Sequence, residues 1–282
     1  MADPQVLMTG IAYGESPRWH DGRLWFCNWG TDEISAVDVH GNSQIMLRVP
    51  TTIPFSIDWL PDGRLVVVSG PEALLLTELP DGSLVTLADL TGLGGGFNEI
   101  VVDGRGNIYV DNAGFDLMAG AAFAPGNVVL VRPDGSAREV ADGIAFGNGM
   151  AVAPDNSTLI VAESYGRRLT AFDIAADGGL ANRRVWADLG DGVPDGICID
   201  AQGAVWYADV PNQRCVRVRE GGEVLQTVEV DRGCFACMLG GQDRTTLFIM
   251  AAQWRGAEHM TGESRTGQVL TVAAPAPGAG WP

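Results

Sequence analysis

The chain has 282 residues, 46% of them hydrophobic and 19% charged, which is ample for a large buried core and has too few charges for a disordered protein. All 18 basic residues are arginine, so the sequence excludes lysine Schiff bases, pyridoxal-phosphate chemistry and a Walker A lysine. A net charge of −17 opposes binding to nucleic acid or anionic membrane surfaces and leaves a small molecule as the expected partner, with the oligomeric state open.

The chain starts with MADPQVLMTGIAYGESP, which has no basic stretch leading into an apolar one, and no apolar run approaches the ~20 residues of a membrane helix. A cytoplasmic protein is the expectation. The five cysteines (27, 198, 215, 234 and 237) are odd in number and form no disulfide framework. Cys234 and Cys237 have CxxC spacing without a βαβ context, and they read as small core residues.

Along the chain one pattern recurs. An apolar segment leads into a polar turn, often Asp-Gly, and then into a second apolar run. The copies are SPRWHDGRLWFCNWG, SIDWLPDGRLVVVSG, NEIVVDGRGNIYVDNAG, NGMAVAPDNSTLIVAES, DGICIDAQGAVWYADV and FACMLGGQDRTTLFIMAA. Each is a hairpin signal. The first apolar residues after the turns are Leu24, Leu65, Ile108, Leu159, Val205 and Leu247, separated by 41, 43, 51, 46 and 42 residues. Further strand-and-turn pairs, such as NVVLVRPDGSAREVA, lie between copies. Six repeats of about 45 residues with four strands each predict an all-β chain: a six-bladed β-propeller of four-stranded blades around a central channel. The expectation is one domain over 1–282, with a strand from one terminus completing the last blade and a loosely ordered tail over 273–282.

Nine to eleven residues before each anchor stand Glu15, Ser56, Asn98, Asn148, Asp195 and Ala236 or its neighbour. In a propeller such positions form a ring around the channel. Four of the six carry carboxylate or amide oxygens. One reading is that they cap strand starts. The other is an axial divalent cation, and an all-oxygen donor set favours Ca²⁺, Mg²⁺ or Mn²⁺ over Zn²⁺.

The stretches GESPRW (14–19), FNEIVVD (97–103), GNGMAVAPDNSTLIVAES (147–164) and PDGICIDAQGAVWYADV (194–210) resemble the family of gluconolactonase, senescence marker protein and luciferin-regenerating enzyme. The resemblance spans nearly the whole chain. It implies a metal-dependent lactone hydrolase with one cation, calcium before magnesium, manganese or zinc. It makes Glu15, Asn148 and Asp195 metal ligands, Asn98 a fourth ligand or a substrate contact, and Asp195 the catalytic carboxylate. Sugar-lactone members of the family tend to carry an arginine two residues before this asparagine and an aspartate after it, where this chain has Gly96 and Glu99.

The longest repeat interval holds NAGFDLMAGAAFAPG (112–126), with Phe115, Met118 and Phe123. It reads either as a loop packed on the next blade or as a lid that makes the pocket less polar than a sugar site. Asn98, Glu99, Asn112 and Phe115 are the expected substrate contacts. Glu163, in VAES, reads as a carboxylate that organises strands, and Arg18 as a partner for such an acid. Of the three histidines, His20 and His40 read as surface residues and His259 as lying in a late loop near the channel mouth. No GxSxG, HExxH or dinucleotide motif occurs. Two alternatives stay open: another metal-dependent enzyme at the same site, acting on phosphotriesters or fluorophosphates or on a non-sugar substrate by another metal-assisted route, and a non-catalytic binding propeller with a structural ion.

Overall fold

The strands grade from buried to exposed within every repeat, and that gradient dictates the architecture. First strands such as Phe55–Trp59 and Gly233–Gly240 are buried almost throughout, whereas fourth strands such as Ser43–Arg48 and Leu180–Asp188 are largely exposed. A strand buried on both faces has to sit at the centre, and one with a polar face has to sit at the rim. The computed structural model describes residues 3–117, 119–256, 259–260 and 264–282, and it forms six antiparallel sheets in a ring, a six-bladed β-propeller.

Blades 1 to 5 run outward from Gly14–His20 to Ser43–Arg48, Phe55–Trp59 to Leu84–Asp89, Phe97–Val102 to Ala137–Ile144, Gly147–Val152 to Leu180–Asp188 and Pro194–Asp200 to Val224–Glu229. Blade 6 has three late strands, Gly233–Gly240, Thr246–Ala252 and Gly267–Ala273, and its rim strand is the N-terminal Gln5–Ile11, paired antiparallel to Gly267–Ala273. The ring therefore closes by hydrogen bonds between the two ends of the chain.

All six repeat anchors lie on second strands and face the first strand of their own blade, in the pairs Trp19–Leu24, Trp59–Leu65, Val102–Ile108, Val152–Leu159, Ile199–Val205 and Leu239–Leu247. Apolar clusters fill the spaces between blades; Val68, Phe97 and Val110 pack blade 2 on blade 3, and Ile160, Ile197 and Tyr207 pack blade 4 on blade 5. Each such side chain contributes about 1.5–3 kcal/mol on burial.

The tail over 273–282 is tied down rather than loose. Gly278–Ala279 pairs with Ile199 and Asp200, and Trp281 exchanges two backbone hydrogen bonds with Val152 (2.7 and 2.9 Å). The tail thus supplies partners to inner-strand backbone groups of blades 4 and 5 that would otherwise end without them. All five cysteines are free and buried.

Candidate active site at the channel mouth

The inner strands are not uniform. Register shifts interrupt the pairing of inner with second strand between Glu15 and Arg18, Phe97 and Ile100, Gly147 and Met150, Pro194 and Ile197, and Cys234 and Ala236. A bulge twists the strand and re-aims the side chain at the irregularity. Here the irregular stretches carry or adjoin Glu15, Asn98, Asn148, Asp195 and Phe235, all of which line one cavity of about 910 Å³. Ser16, directly after Glu15, takes a left-handed φ of 48°, which helps to turn that strand. Two glycines let the blades approach closely enough for this ring: a Cβ on Gly149 would lie 2.6 Å from the Asp195 carbonyl oxygen, and one on Gly196 would lie 2.5 Å from Ala236 Cβ.

Blade 2 has no such shift. Ser56 pairs in regular register with Val68 and donates a 2.6 Å hydrogen bond to the Asn98 carbonyl oxygen. Its place in the ring supports a neighbour rather than the cavity.

Two carboxylates and two amides thus meet at the cavity floor. Asn98 Nδ2 lies 3.5 Å from Asn148 Oδ1 and 3.4 Å from the Gly147 carbonyl oxygen, both long contacts. Burial pushes the Glu15 carboxyl well above the usual carboxylate range, and repulsion from Asp195 and then Glu99 pushes it further. Burial also raises Asp195, the Glu99 charge adds to this, and hydrogen bonds from Asn148 and the Gly196 N–H partly offset it. The Tyr13 hydroxyl, close enough to feel both charges, is buried without a hydrogen-bond partner. Two buried like charges beside loosely engaged amides form a donor set that fits a hard divalent cation, which would relieve the repulsion. Among the described residues no three His, Cys, Asp or Glu side chains gather as metal ligands, so the set depends on its two amides.

Below the floor lies a second polar layer. Arg18 Nη2 contacts Glu99 Oε1 at 3.0 Å and donates to the Ile100 carbonyl at 2.6 Å, and its Nε lies 3.7 Å from Asp58. Ser16 Oγ lies 3.1 Å from the same Glu99 oxygen. Burial lifts Asp58 to about 6 despite Arg18. Asp111 accepts the Glu99 N–H through one oxygen and leaves the other buried and unpartnered; burial raises it well above the ordinary range.

This layer separates the expected substrate contacts. Asn98 and Phe115 line the cavity, whereas Glu99 and Asn112 do not. Glu99 points away from its neighbour Asn98, as alternation along a strand requires, and is engaged by Arg18 and Ser16. Asn112 ends a second strand, where Asn28, Ser69, Glu163 and Asp209 stand in other blades. These polar residues hold loops: Asn28 accepts the Ala12 and Tyr13 N–H groups, Glu163 accepts Ala145 N–H, and Asn112 bonds Asn127. Glu163 organises strands as expected, but through Arg168, Arg183 and Thr170 rather than Arg18.

The cavity walls are apolar. The 112–126 loop contributes Phe115, Asp116 and Leu117, and Phe115 also packs on the next blade, with ring centroids 5.6 Å from Phe146 and 5.7 Å from Tyr165. The loop thus packs on the next blade and lines the cavity, and its Met118 lies outside the described residues. Phe146 is held at a φ of 61°, uncommon for a bulky residue, and its ring lines the cavity. Across the ring Trp29, Phe235 and Trp254 form a second wall, with Phe235 6.0 Å from Trp254 and Trp29 Nε1 fixed on the Phe55 carbonyl at 2.6 Å. His259 is exposed, and it is its neighbour Met260 that lines the cavity.

The sequence reading missed most of these wall residues, yet a repeat signal marks them. Five residues after the anchors in blades 1 to 5 come Trp29, Gly70, Ala113, Ser164 and Val210, all lining the cavity. The loop after each second strand is therefore a wall, as the bulge in an inner strand is a floor.

A propeller with this floor agrees with the comparisons to known proteins. The chain belongs to the SMP-30/gluconolactonase/LRE-like family, whose profile matches residues 13–253. It is 27% identical to regucalcin of Xenopus laevis over 258 residues, covering 88% of this chain and 85% of that one. It is 26% identical to a 6-deoxy-6-sulfogluconolactonase of Pseudomonas putida over 196 residues, 66% of this chain and 64% of that one. In structure it resembles a luciferin-regenerating enzyme (TM-score 0.83, 21% identity, 98% of both chains). It also resembles regucalcin of Agrobacterium tumefaciens, described as a calcium-binding protein (TM-score 0.78, 20% identity, 99% of this chain and 95% of that one). A lactonase-like function fits this membership.

Proposed function

We propose that the protein is a divalent-metal-dependent lactone hydrolase, acting in the cytoplasm on a lactone less polar than gluconolactone. The observation that carries this reading is the convergence of Glu15, Asn98, Asn148 and Asp195 on the floor of one cavity with apolar walls. Lactonases within the family support it, and a relative described as calcium-binding supports calcium as the cation. Five reduced, buried thiols suit a reducing compartment.

Glu15, Asn148 and Asp195 would hold the cation, with Asn98 as a fourth donor or a contact to substrate. Bound there, it supplies Lewis acidity toward a carbonyl oxygen and offsets the charge that develops on it. No lysine exists in the chain, and no arginine lines the described cavity, so the residues offer no other positive charge to an oxyanion. Asp195 acts as general base toward water. The water oxygen bonds to the carbonyl carbon, the ring C–O bond breaks, and the proton taken by Asp195 passes to the departing ring oxygen, giving the hydroxy acid. Direct attack by the Asp195 carboxylate is the other route this geometry allows, and ¹⁸O from water appearing in Asp195 after a single turnover identifies it.

The test is Asp195→Asn. The expected result is lactone hydrolysis reduced by about 10³ or more with the fold retained, as for loss of a group acting in the transition state. Full activity in this variant contradicts the mechanism.

A further inference from the structure

The cavity is unusual in what its walls lack. Among the described lining residues the only charged side chains are Glu15, Asp116 and Asp195, all acidic. Arg18 is buried and committed to Glu99 and the Ile100 carbonyl, while Arg232 and Arg255, which line the adjoining pocket beside Trp254, bond Asp231 and Gln253 and do not line this cavity. A divalent cation would bring Glu15 and Asp195 to neutrality and leave no surplus positive charge for an anionic substituent. Polar lining groups are also few, chiefly Asn98, Asn148 and Ser164 besides the carboxylates, and Ser164 Oγ is already bonded to the Pro194 carbonyl at 2.7 Å. A polyol in this space would leave hydroxyls unpaired, and each unpaired hydroxyl costs about ten-fold or more in affinity.

What the walls do offer is ring faces. Phe115, Phe146 and Tyr165 pack at centroid distances of 5.0–5.7 Å on blades 3 and 4. Phe235 and Trp254 stand on blade 6, which lies across the channel from blade 3 in a six-membered ring. Phe146 keeps its place at the cost of a left-handed backbone, and Tyr165 and Trp254 are each about half exposed at the mouth (51% and 45%). Exposed aromatic rings on both sides of one opening are a ligand surface rather than a core.

We propose that the substrate is an uncharged lactone or cyclic ester built on an aromatic or similarly flat apolar body. That body is held against Phe146 and Tyr165 on one side and Phe235 and Trp254 on the other, with its carbonyl toward the Glu15–Asp195 floor. Phosphorylated, sulfonated and polyhydroxylated lactones are excluded. The assignment rests on the hydrolase reading for the reacting group, but the flat apolar body is argued from the walls alone.

The experiment has a kinetic arm and a binding arm. In the first, the calcium-loaded protein is given 3,4-dihydrocoumarin, glucono-δ-lactone and its 6-phosphate. The expected kcat/KM for dihydrocoumarin exceeds both sugar lactones by about 100-fold, and Phe146→Ala, Tyr165→Ala or Trp254→Ala narrows that ratio by about ten-fold, mainly through KM. In the second arm, chromane, the cyclic ether that lacks a scissile carbonyl, is titrated while tryptophan fluorescence is followed; quenching that saturates, and that is reduced in Trp254→Ala to what the second wall tryptophan, Trp29, contributes, is expected. Turnover that prefers either sugar lactone overturns the proposal and leaves the hydrolase reading intact. Saturable chromane binding without turnover of any lactone supports the ligand class and overturns the hydrolase reading. Absence of chromane binding, whatever is turned over, overturns the proposal.

Discussion

In blade 2 the inner strand Phe55–Trp59 pairs residue for residue with its neighbour, and Ser56, at the ring position, spends its hydroxyl on the Asn98 carbonyl. In blade 5 the inner strand Pro194–Asp200 slips register between Pro194 and Ile197, and Asp195, at the same ring position, lines the cavity. The two strands share a place in the repeat and a similar buried environment. What separates them is a one-residue irregularity in a hydrogen-bond ladder. Blade 2 keeps the regular backbone that the ring needs for stability, while the bulged strands give up ladder hydrogen bonds and gain a side chain aimed at the axis.

The sharpest way to break this contrast is at the bulge itself. Asp195→Asn is expected to lower lactone turnover by about 10³ or more while the melting temperature of the metal-free protein stays level or rises, because a buried repulsive charge is removed. A melting temperature that falls sharply would show that Asp195 is structural.

Gly196→Ala comes next. Its Cβ would meet Ala236 Cβ at 2.5 Å and Ala236 Cα at 2.7 Å, so blades 5 and 6 must separate. We expect a loss of about 1–3 kcal/mol in denaturant unfolding, as for overpacking in a core, together with weaker calcium binding. Unchanged stability would mean that the close approach is dispensable.

The same contrast has a pH signature. Asp58 titrates near 6 when folded and near ~4 when unfolded, and Glu15, Asp111 and Asp195 are raised as well. These acids bind protons more tightly in the folded state, so their contribution to stability is complete below the unfolded value and is lost as pH rises through the folded ones. Thermal melting of the metal-stripped protein is expected to fall as pH rises from about 4 through 6 and beyond. Added Ca²⁺ is expected to raise the melting temperature more at neutral pH than at pH 5, because protonated carboxyls are poor ligands. A calcium effect of equal size at both values would contradict a carboxylate-held ion.

The smallest expected effect lies in the regular blade. Ser56→Ala removes one hydrogen bond to the Asn98 backbone and is expected to cost about 1 kcal/mol, with a few-fold rise in the calcium dissociation constant measured by calorimetry. A loss comparable with that of Asp195→Asn would dissolve the distinction between the two kinds of strand.

The repeat was legible because Leu24, Leu65, Ile108, Leu159, Val205 and Leu247 are local signals: an apolar residue after an Asp/Gly turn needs no long-range information. The floor was legible for the same reason, as its residues sit at a near-constant distance from those anchors. Glu99 and Asn112 were misplaced because a bulge and a strand end decide which way a polar residue faces, and neither leaves a mark in composition. Asn112 stands where Glu163 and Asp209 stand, so comparison among repeats would have identified it as a loop anchor. The tail was misread because Gly and Pro content hides the backbone hydrogen bonds that Gly278 and Trp281 make to other blades. The aromatic walls went unseen for a different reason. Phe146 on blade 4 is far in sequence from Phe235 and Trp254 on the blade 6 hairpin, and only closure of the ring brings the two groups to one cavity.

The most direct test of a metal-dependent hydrolase is a pH-indicator assay on metal-stripped protein, with Ca²⁺, Mg²⁺, Mn²⁺ or Zn²⁺ added back, over aryl, alkyl and sugar lactones. The account expects no turnover without metal and turnover restored by calcium, with aryl lactones preferred. Undiminished hydrolysis by the stripped protein, or none with any metal in protein shown by calorimetry to bind the ion, would contradict it.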